Sequence, residues 1–110
     1  MLDAVLRASG YDPLLAEDGQ DAAERLAAGL RVDAVITDVR MPRMDGVALV
    51  VRLRSQELTR AIPVLAMSAY NDDRQEREMR AAGADLFLPK PFTVLALTEA
   101  LRTLVGPRAS

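Results

Sequence analysis

Val32-Asp33-Ala34-Val35-Ile36-Thr37-Asp38-Val39-Arg40-Met41-Pro42-Arg43-Met44-Asp45-Gly46 is the stretch whose reading decides the fold of this chain. It opens with small and β-branched apolar residues, Ala34-Val35-Ile36, as a strand covered on both faces requires. The apolar run stops at Asp38, the chain turns through Met41-Pro42, and Asp45-Gly46 stands as a cap ahead of an apolar helical pattern. A carboxylate at the C-terminal tip of a buried parallel strand lies where open α/β sheets form their ligand crevices. Asp also ends strands for reasons unrelated to chemistry. The other strand ends decide between the two readings.

On the N-terminal side, residues 1–9 carry Leu2, Val5 and Leu6 at helical spacing, with Gly10 as the stop. Residues 11–17 read as a strand through Leu14-Leu15-Ala16, and Pro13, which lacks an N–H, confines it to a sheet edge. Asp18-Gly19 reads as a turn, followed by a helix over residues 20–30 with Ala23, Leu26, Ala27 and Leu30 on its inner face. The central strand covers residues 32–38.

On the C-terminal side, Asp45 caps a helix over residues 47–55 that turns Leu49, Val50 and Leu53 inward. A short strand over residues 63–67 ends at Ser68-Ala69-Tyr70. Asn71 or Asp72 starts a helix over residues 73–82 that is almost entirely charged, with Met79 and a few alanines to hold it down and Gly83 to close it. The last strand covers residues 85–88 and leads into Pro89-Lys90-Pro91-Phe92. Thr93 then caps a final helix with Val94, Leu97, Leu101 and Leu104 inward. Strand and helix alternate throughout, which predicts a parallel sheet covered on both faces.

The totals narrow the function. The 110 residues make a single domain with room for one core. There is no cysteine and no histidine, which removes thiol chemistry, disulfides, zinc sites of the usual kind and the commonest general base. A net charge of −2 gives no basic surplus for direct nucleic-acid binding. No apolar run reaches membrane-spanning length and no signal pattern follows Met1, so the expectation is a soluble cytoplasmic domain without membrane contact. Of the 14 basic residues 13 are Arg, and the single lysine is Lys90. A guanidinium fork does not replace a compact, mobile ammonium, so the lone Lys90 marks either a chemical requirement or chance, and its neighbours decide between the two.

Asp38, Ser68 and Lys90 each fall at or just beyond the end of a consecutive strand, and parallel strands joined by right-handed crossovers bring those ends to one edge. A carboxylate, a hydroxyl and an ammonium together suit a phosphoryl group: one accepts it, one donates to its oxygens, one offsets its charge. From Tyr11 to Val105 the chain resembles the receiver domain of two-component response regulators. The resemblance is carried by Val35-Ile36-Thr37-Asp38 with Met41-Pro42-Arg43-Met44-Asp45-Gly46, by Pro63-Val64-Leu65-Ala66-Met67-Ser68-Ala69, by Ala82-Gly83-Ala84-Asp85 and by Lys90-Pro91-Phe92.

The resemblance implies a flavodoxin-like doubly wound sheet and a phosphorelay switch rather than an enzyme. It implies that Asp38 is the phosphoacceptor, charged by a histidine kinase or a phosphotransfer protein. Ser68 matches the hydroxyl that turns toward the phosphoryl group, and Phe87 the aromatic that moves between outward and buried positions. The family more often has Tyr at that place, so Phe87 keeps the packing change and lacks the hydroxyl. Lys90 matches the invariant lysine, and Lys90-Pro91 a bond that is typically cis. Arg40 matches the residue whose backbone carbonyl helps bind Mg²⁺, and Arg40 and Tyr70 occupy the positions that set the lifetime of the acyl phosphate. A downstream protein partner is expected on the face formed by the Asp73–Ala82 helix with the last strand and helix.

One departure stands out. A receiver begins with an apolar strand ending in two adjacent acidic residues, whereas Met1 already stands inside the helix that follows it. The chain is therefore read as a receiver domain over residues 1–110, incomplete at its N-terminus, with four strands and five helices, the first one partial. Asp3, on a helix, and Asp12, at the far end of its strand, do not replace the acidic pair. Two expectations follow: weak Mg²⁺ binding with impaired phosphorylation, and two unpaired strand edges facing a gap, which favours a homodimer or swapped species. A degenerate receiver serving only as a protein-interaction module is the alternative. A dehalogenase-type phosphotransfer enzyme would need a second Asp where Arg40 stands, and a flavodoxin-type cofactor binder would need a phosphate loop that is absent.

Overall fold

The computed structural model describes residues 2–16, 18–38, 45–68 and 73–105. The elements follow in the order α1 (Leu2–Ala8), α2 (Gly19–Ala27), β1 (Val35–Asp38), α3 (Gly46–Arg54), β2 (Val64–Ser68), α4 (Asp73–Ala82), β3 (Leu86–Pro89) and α5 (Val94–Val105). The three strands form a parallel sheet in the order β1-β2-β3. Register pairs Val35 with Val64 and Asp38 with Met67, then Leu65 with Leu86 and Ser68 with Pro89.

The sheet is wound on both faces. Every residue of β2 is buried, as expected of a central strand built from Val64-Leu65-Ala66-Met67-Ser68. Alternation along β2 divides its side chains between two cores. Val64 and Ala66 pack with Ala23 and Leu26 of α2, Leu49, Val50 and Leu53 of α3, and Met79 of α4. Leu65 packs on the other face with Leu6 of α1 and Leu97 and Leu101 of α5. The inward positions read for the helix after Asp45 are all fully buried.

Helix boundaries follow local chemistry. The Asp45 carboxylate accepts the Ala48 N–H at 2.9 Å, and the Thr93 hydroxyl accepts the Ala96 N–H at 3.0 Å, so both expected caps are in place. Asp18, read as part of a turn, is instead the N-cap of α2 and accepts the Asp21 N–H at 2.8 Å. Gly83, at φ +118°, closes α4 in a left-handed conformation that side-chain-bearing residues rarely adopt. Asp45→Ala should cost about 1 kcal/mol, read as a lower urea midpoint, because it orphans a helix N–H without touching the core.

The structure corrects three expectations. Residues 11–16 form no strand, so the described sheet has three strands rather than four. A strand requires a hydrogen-bonding neighbour, and between this segment and β1 lies a groove of about 260 Å³, lined by Leu14, Leu15, Leu26, Val35 and Leu49 among others. Leu14 and Leu15 remain exposed. Ala27 and Leu30 are not inward, because α2 ends at Ala27 and the chain turns at Gly29, φ +104°. Val94 is the first residue of α5 and is exposed; Leu97 and Leu101 carry that helix's packing.

Candidate functional site

β1 and β3 deliver their ends to the same edge because all three strands run parallel. Asp38 is the last residue of β1, and Lys90 follows Pro89 directly at the end of β3. The Lys90 ammonium meets the Asp38 carboxylate, Nζ to Oδ1, at 2.7 Å. Both side chains are partly open to solvent, 42% exposed for Asp38 and 37% for Lys90, so an incoming group has access to the pair. The backbone fixes Lys90 as well: its N–H donates to the Ser68 carbonyl at 2.7 Å, extending the ladder one step past β3. The Lys90–Pro91 peptide is cis, as the resemblance implied.

Ser68 ends the central strand and is 3% exposed. Its hydroxyl donates to Oε1 of Gln75 in the first turn of α4. The structure thus brings all three strand-end residues to one edge, joins Asp38 to Lys90 directly, and turns the Ser68 hydroxyl toward α4. Gln75 was not anticipated from the sequence, where it lies in a helix read as almost entirely charged. The only signal available was a polar side chain on the first turn after a strand-end hydroxyl. Phe87 lies opposite Ala66 in the register and packs, half-buried, against the core shared by α3 and α4. Arg40 and Tyr70 lie outside the described residues, as does the turn through Met41-Pro42.

Asp45 caps α3. The exposed face of α4 is laced by Arg74–Glu78 at 3.1 Å and Arg80–Glu76 at 2.8 Å. Among the described residues, no group of three or more Asp, Glu, His or Cys side chains could hold a metal ion.

Residues 1–102 match the sequence profile of the response regulator receiver domain. The chain belongs to that family. This receiver domain is 38% identical over 97 residues to the response regulator MprA of Mycolicibacterium vanbaalenii, covering 88% of this chain and 41% of that protein. It is 36% identical over 109 residues to the transcriptional regulatory protein PrrA of Mycobacterium tuberculosis, covering 99% of this chain and 46% of that protein. The receiver chain therefore spans less than half the length of these curated relatives. Among solved structures, it superposes on the receiver domain of a sensor histidine kinase from Pseudomonas aeruginosa, which has a magnesium ion coordinated in its active site cleft. That match has a TM-score of 0.86 at 33% identity, over 96% of this chain and 86% of the other. The signal receiver domain of a histidine kinase from Syntrophus aciditrophicus matches with a TM-score of 0.85 at 32% identity, over 99% of this chain and 83% of the other. No helix among the receiver's described residues is long and apolar enough to cross a membrane.

Proposed function

We propose that this receiver domain accepts a phosphoryl group on Asp38 from a histidine kinase or phosphotransfer protein and passes the change to a partner-binding face. One observation carries the proposal: the chain's single lysine lies 2.7 Å from a strand-end carboxylate that is open to solvent. In the transfer, an Asp38 carboxylate oxygen attacks phosphorus, the bond from phosphorus to the donor nitrogen breaks, and the electron pair leaves with the imidazole. Lys90 is already placed to neutralise charge that collects on the phosphoryl oxygens, without reorganisation at the moment of reaction. Ser68 is the hydroxyl proposed to turn from Gln75 toward a further oxygen, and Phe87 couples the site to the packing between β3 and α4. Arg40 and Tyr70 are the residues proposed to govern how long the acyl phosphate lasts. The response is read out by α4 with β3 and α5.

Magnesium is the family's expected cofactor, and the described residues do not fit it. Mg²⁺ is held by one or two carboxylates with waters and phosphate oxygens, while here Asp38 is paired with Lys90 and Asp45 is occupied as a cap. Phosphate uptake by these residues is accordingly proposed to be slow. The same observation favours the second reading, a receiver that works only as a protein-interaction module.

Incubation with acetyl phosphate and Mg²⁺, followed by peptide mass mapping, separates the two. Slow uptake confined to Asp38, and absent in Asp38→Asn, is expected. Phosphate on another residue would overturn the assignment. A complete lack of uptake would leave the interaction module as the function.

A further inference from the structure

We infer that an open trough along the free edge of β1 is a self-association surface, onto which a second copy of this chain docks its residues 11–16. The inference does not depend on phosphoryl transfer at Asp38.

β1 is an outer strand of the described sheet, whose order is β1-β2-β3. The Val35 N–H donates to the Pro63 carbonyl at 2.9 Å and so points toward β2. Successive residues of a strand turn their backbone groups to opposite sides, so Ile36 presents its N–H and C=O to the other side, where no described residue bonds them. An edge of this kind is a template for another extended segment. The groove of about 260 Å³ beside it shares Leu26, Leu30 and Val32 with a second of about 610 Å³ around Gly29 and Leu58, so the two make one trough. Of the seven large apolar side chains exposed among the described residues, four line this trough: Leu14, Leu15, Leu30 and Leu58. Their clustering, rather than the exposure of any one leucine, marks a contact surface.

The chain's own residues 11–16 are held away from β1 at both ends. The Tyr11 N–H donates to the Leu6 carbonyl at 2.9 Å, and Leu6 is buried against Leu97 and Leu101 of α5. The Leu15 carbonyl accepts Arg25 Nη1 at 3.2 Å, and Arg25 is paired with Asp21 within α2. A second copy is under no such restraint. Each copy carries a ridge, Leu14-Leu15-Ala16, directly beside a trough. Two copies related by a twofold axis each seat the ridge in the other's trough, and the assembly closes at two.

The charge of the surface suits a second copy. An isologous contact presents the same face twice, so a face of one sign repels itself. Here Asp18 and Arg25 line one half of the trough and Arg31 and Asp33 the other, so each sign is matched. A net charge of −2 adds little repulsion between whole chains. Size suits it too: eight residues line one half and fourteen the other, with three in common, close to the ~20–30 residues a side of a standard interface.

The test is sedimentation equilibrium of the 110-residue chain, which should show monomer and dimer and nothing larger. Leu15→Lys places an ammonium on the ridge, where the side chain is 66% exposed in one copy and loses its water in the dimer. It should raise the dissociation constant at least about tenfold and leave the urea midpoint of the dilute monomer unchanged. Leu95→Lys, at 65% exposure on α5 and outside the trough, should change the dissociation constant less than about twofold. In the unaltered protein, amide exchange at Ile36 should slow at least about fivefold from dilute to concentrated solution, because the second copy covers that edge. A monomer at every concentration up to about 1 mM would overturn the inference, as would growth past the dimer. So would a dimer broken by Leu95→Lys and not by Leu15→Lys, or one in which Ile36 exchanges as fast as in the monomer.

Discussion

Arg54→Met is expected to lower the unfolding free energy by about 3 kcal/mol, read as a drop in urea midpoint at unchanged slope. Arg54 is the last residue of α3, yet its guanidinium serves three other parts of the chain. Nε donates to the Gly83 carbonyl at 3.0 Å, which closes α4. Nη1 donates to the Arg60 carbonyl at 3.0 Å and the Ile62 carbonyl at 2.7 Å, on the approach to β2. Nη2 meets Asp85 Oδ2 at 2.9 Å, and that same oxygen accepts the Val64 N–H at 2.8 Å. The planar fork thus joins the end of α3 to the starts of β2 and β3, using donors in a geometry that no other side chain supplies.

Methionine would keep the apolar stem and the helix propensity, and would leave three carbonyls without their partner. The loss should arise mainly there. The Asp85 side chain is 47% exposed, so its charge pairing contributes little and added salt should leave most of the difference intact. Arg54→Lys should recover only part of the stability, because one ammonium does not reach carbonyls on both sides of the helix end. Gly83 is tied to the same device: a Cβ there would stand 2.8 Å from Arg54 Cγ. A loss below about 1 kcal/mol for Arg54→Met would mean that water replaces the guanidinium almost without cost.

Arg54 shows what the sequence could not reveal. Its partners lie 29 and 31 residues away at Gly83 and Asp85, and no period or motif links them. The strands and helices were legible because each announces itself locally. Val35-Ile36 is apolar on both faces, Leu49, Val50 and Leu53 recur at helical spacing, and Asp45 and Thr93 have capping oxygens. Residues 11–16 failed as a strand because Leu14-Leu15-Ala16 supplies the pattern while pairing depends on a neighbour elsewhere.

The site divides in the same way. Convergence of Asp38 and Lys90 followed from strand direction, a property of topology that the alternation of elements already implies. The Ser68–Gln75 contact depended on how α4 lies across the sheet, and a polar residue at the front of a charged helix carries no mark of it. Arg54 and Gln75 are therefore polar residues whose contacts needed coordinates to be seen.

Lys90→Met is expected to show the opposite profile to Arg54→Met: at least about a hundredfold slower phosphate uptake at Asp38 from acetyl phosphate, with a stability change within about 1 kcal/mol. The ammonium contacts Asp38 Oδ1 where both side chains are more than a third exposed, so the resting pair gains little over its separate hydration. Its worth lies in the transition state, when charge on the transferring group grows and the lysine is already in position. Lys90→Met keeps the stem and removes that charge. Lys90→Arg keeps the charge but spreads it over a wider, rigid fork at a place where the backbone is pinned to the Ser68 carbonyl at 2.7 Å, so it should recover only part of the rate. Uptake is followed by intact-protein mass and stability by urea denaturation of the same samples. A Lys90→Met protein that takes up phosphate at the parent rate would remove the ammonium from the chemistry. One that unfolds as easily as Arg54→Met would make Lys90 a structural brace between β1 and β3, and the convergence at Asp38 would then be a consequence of folding rather than a site.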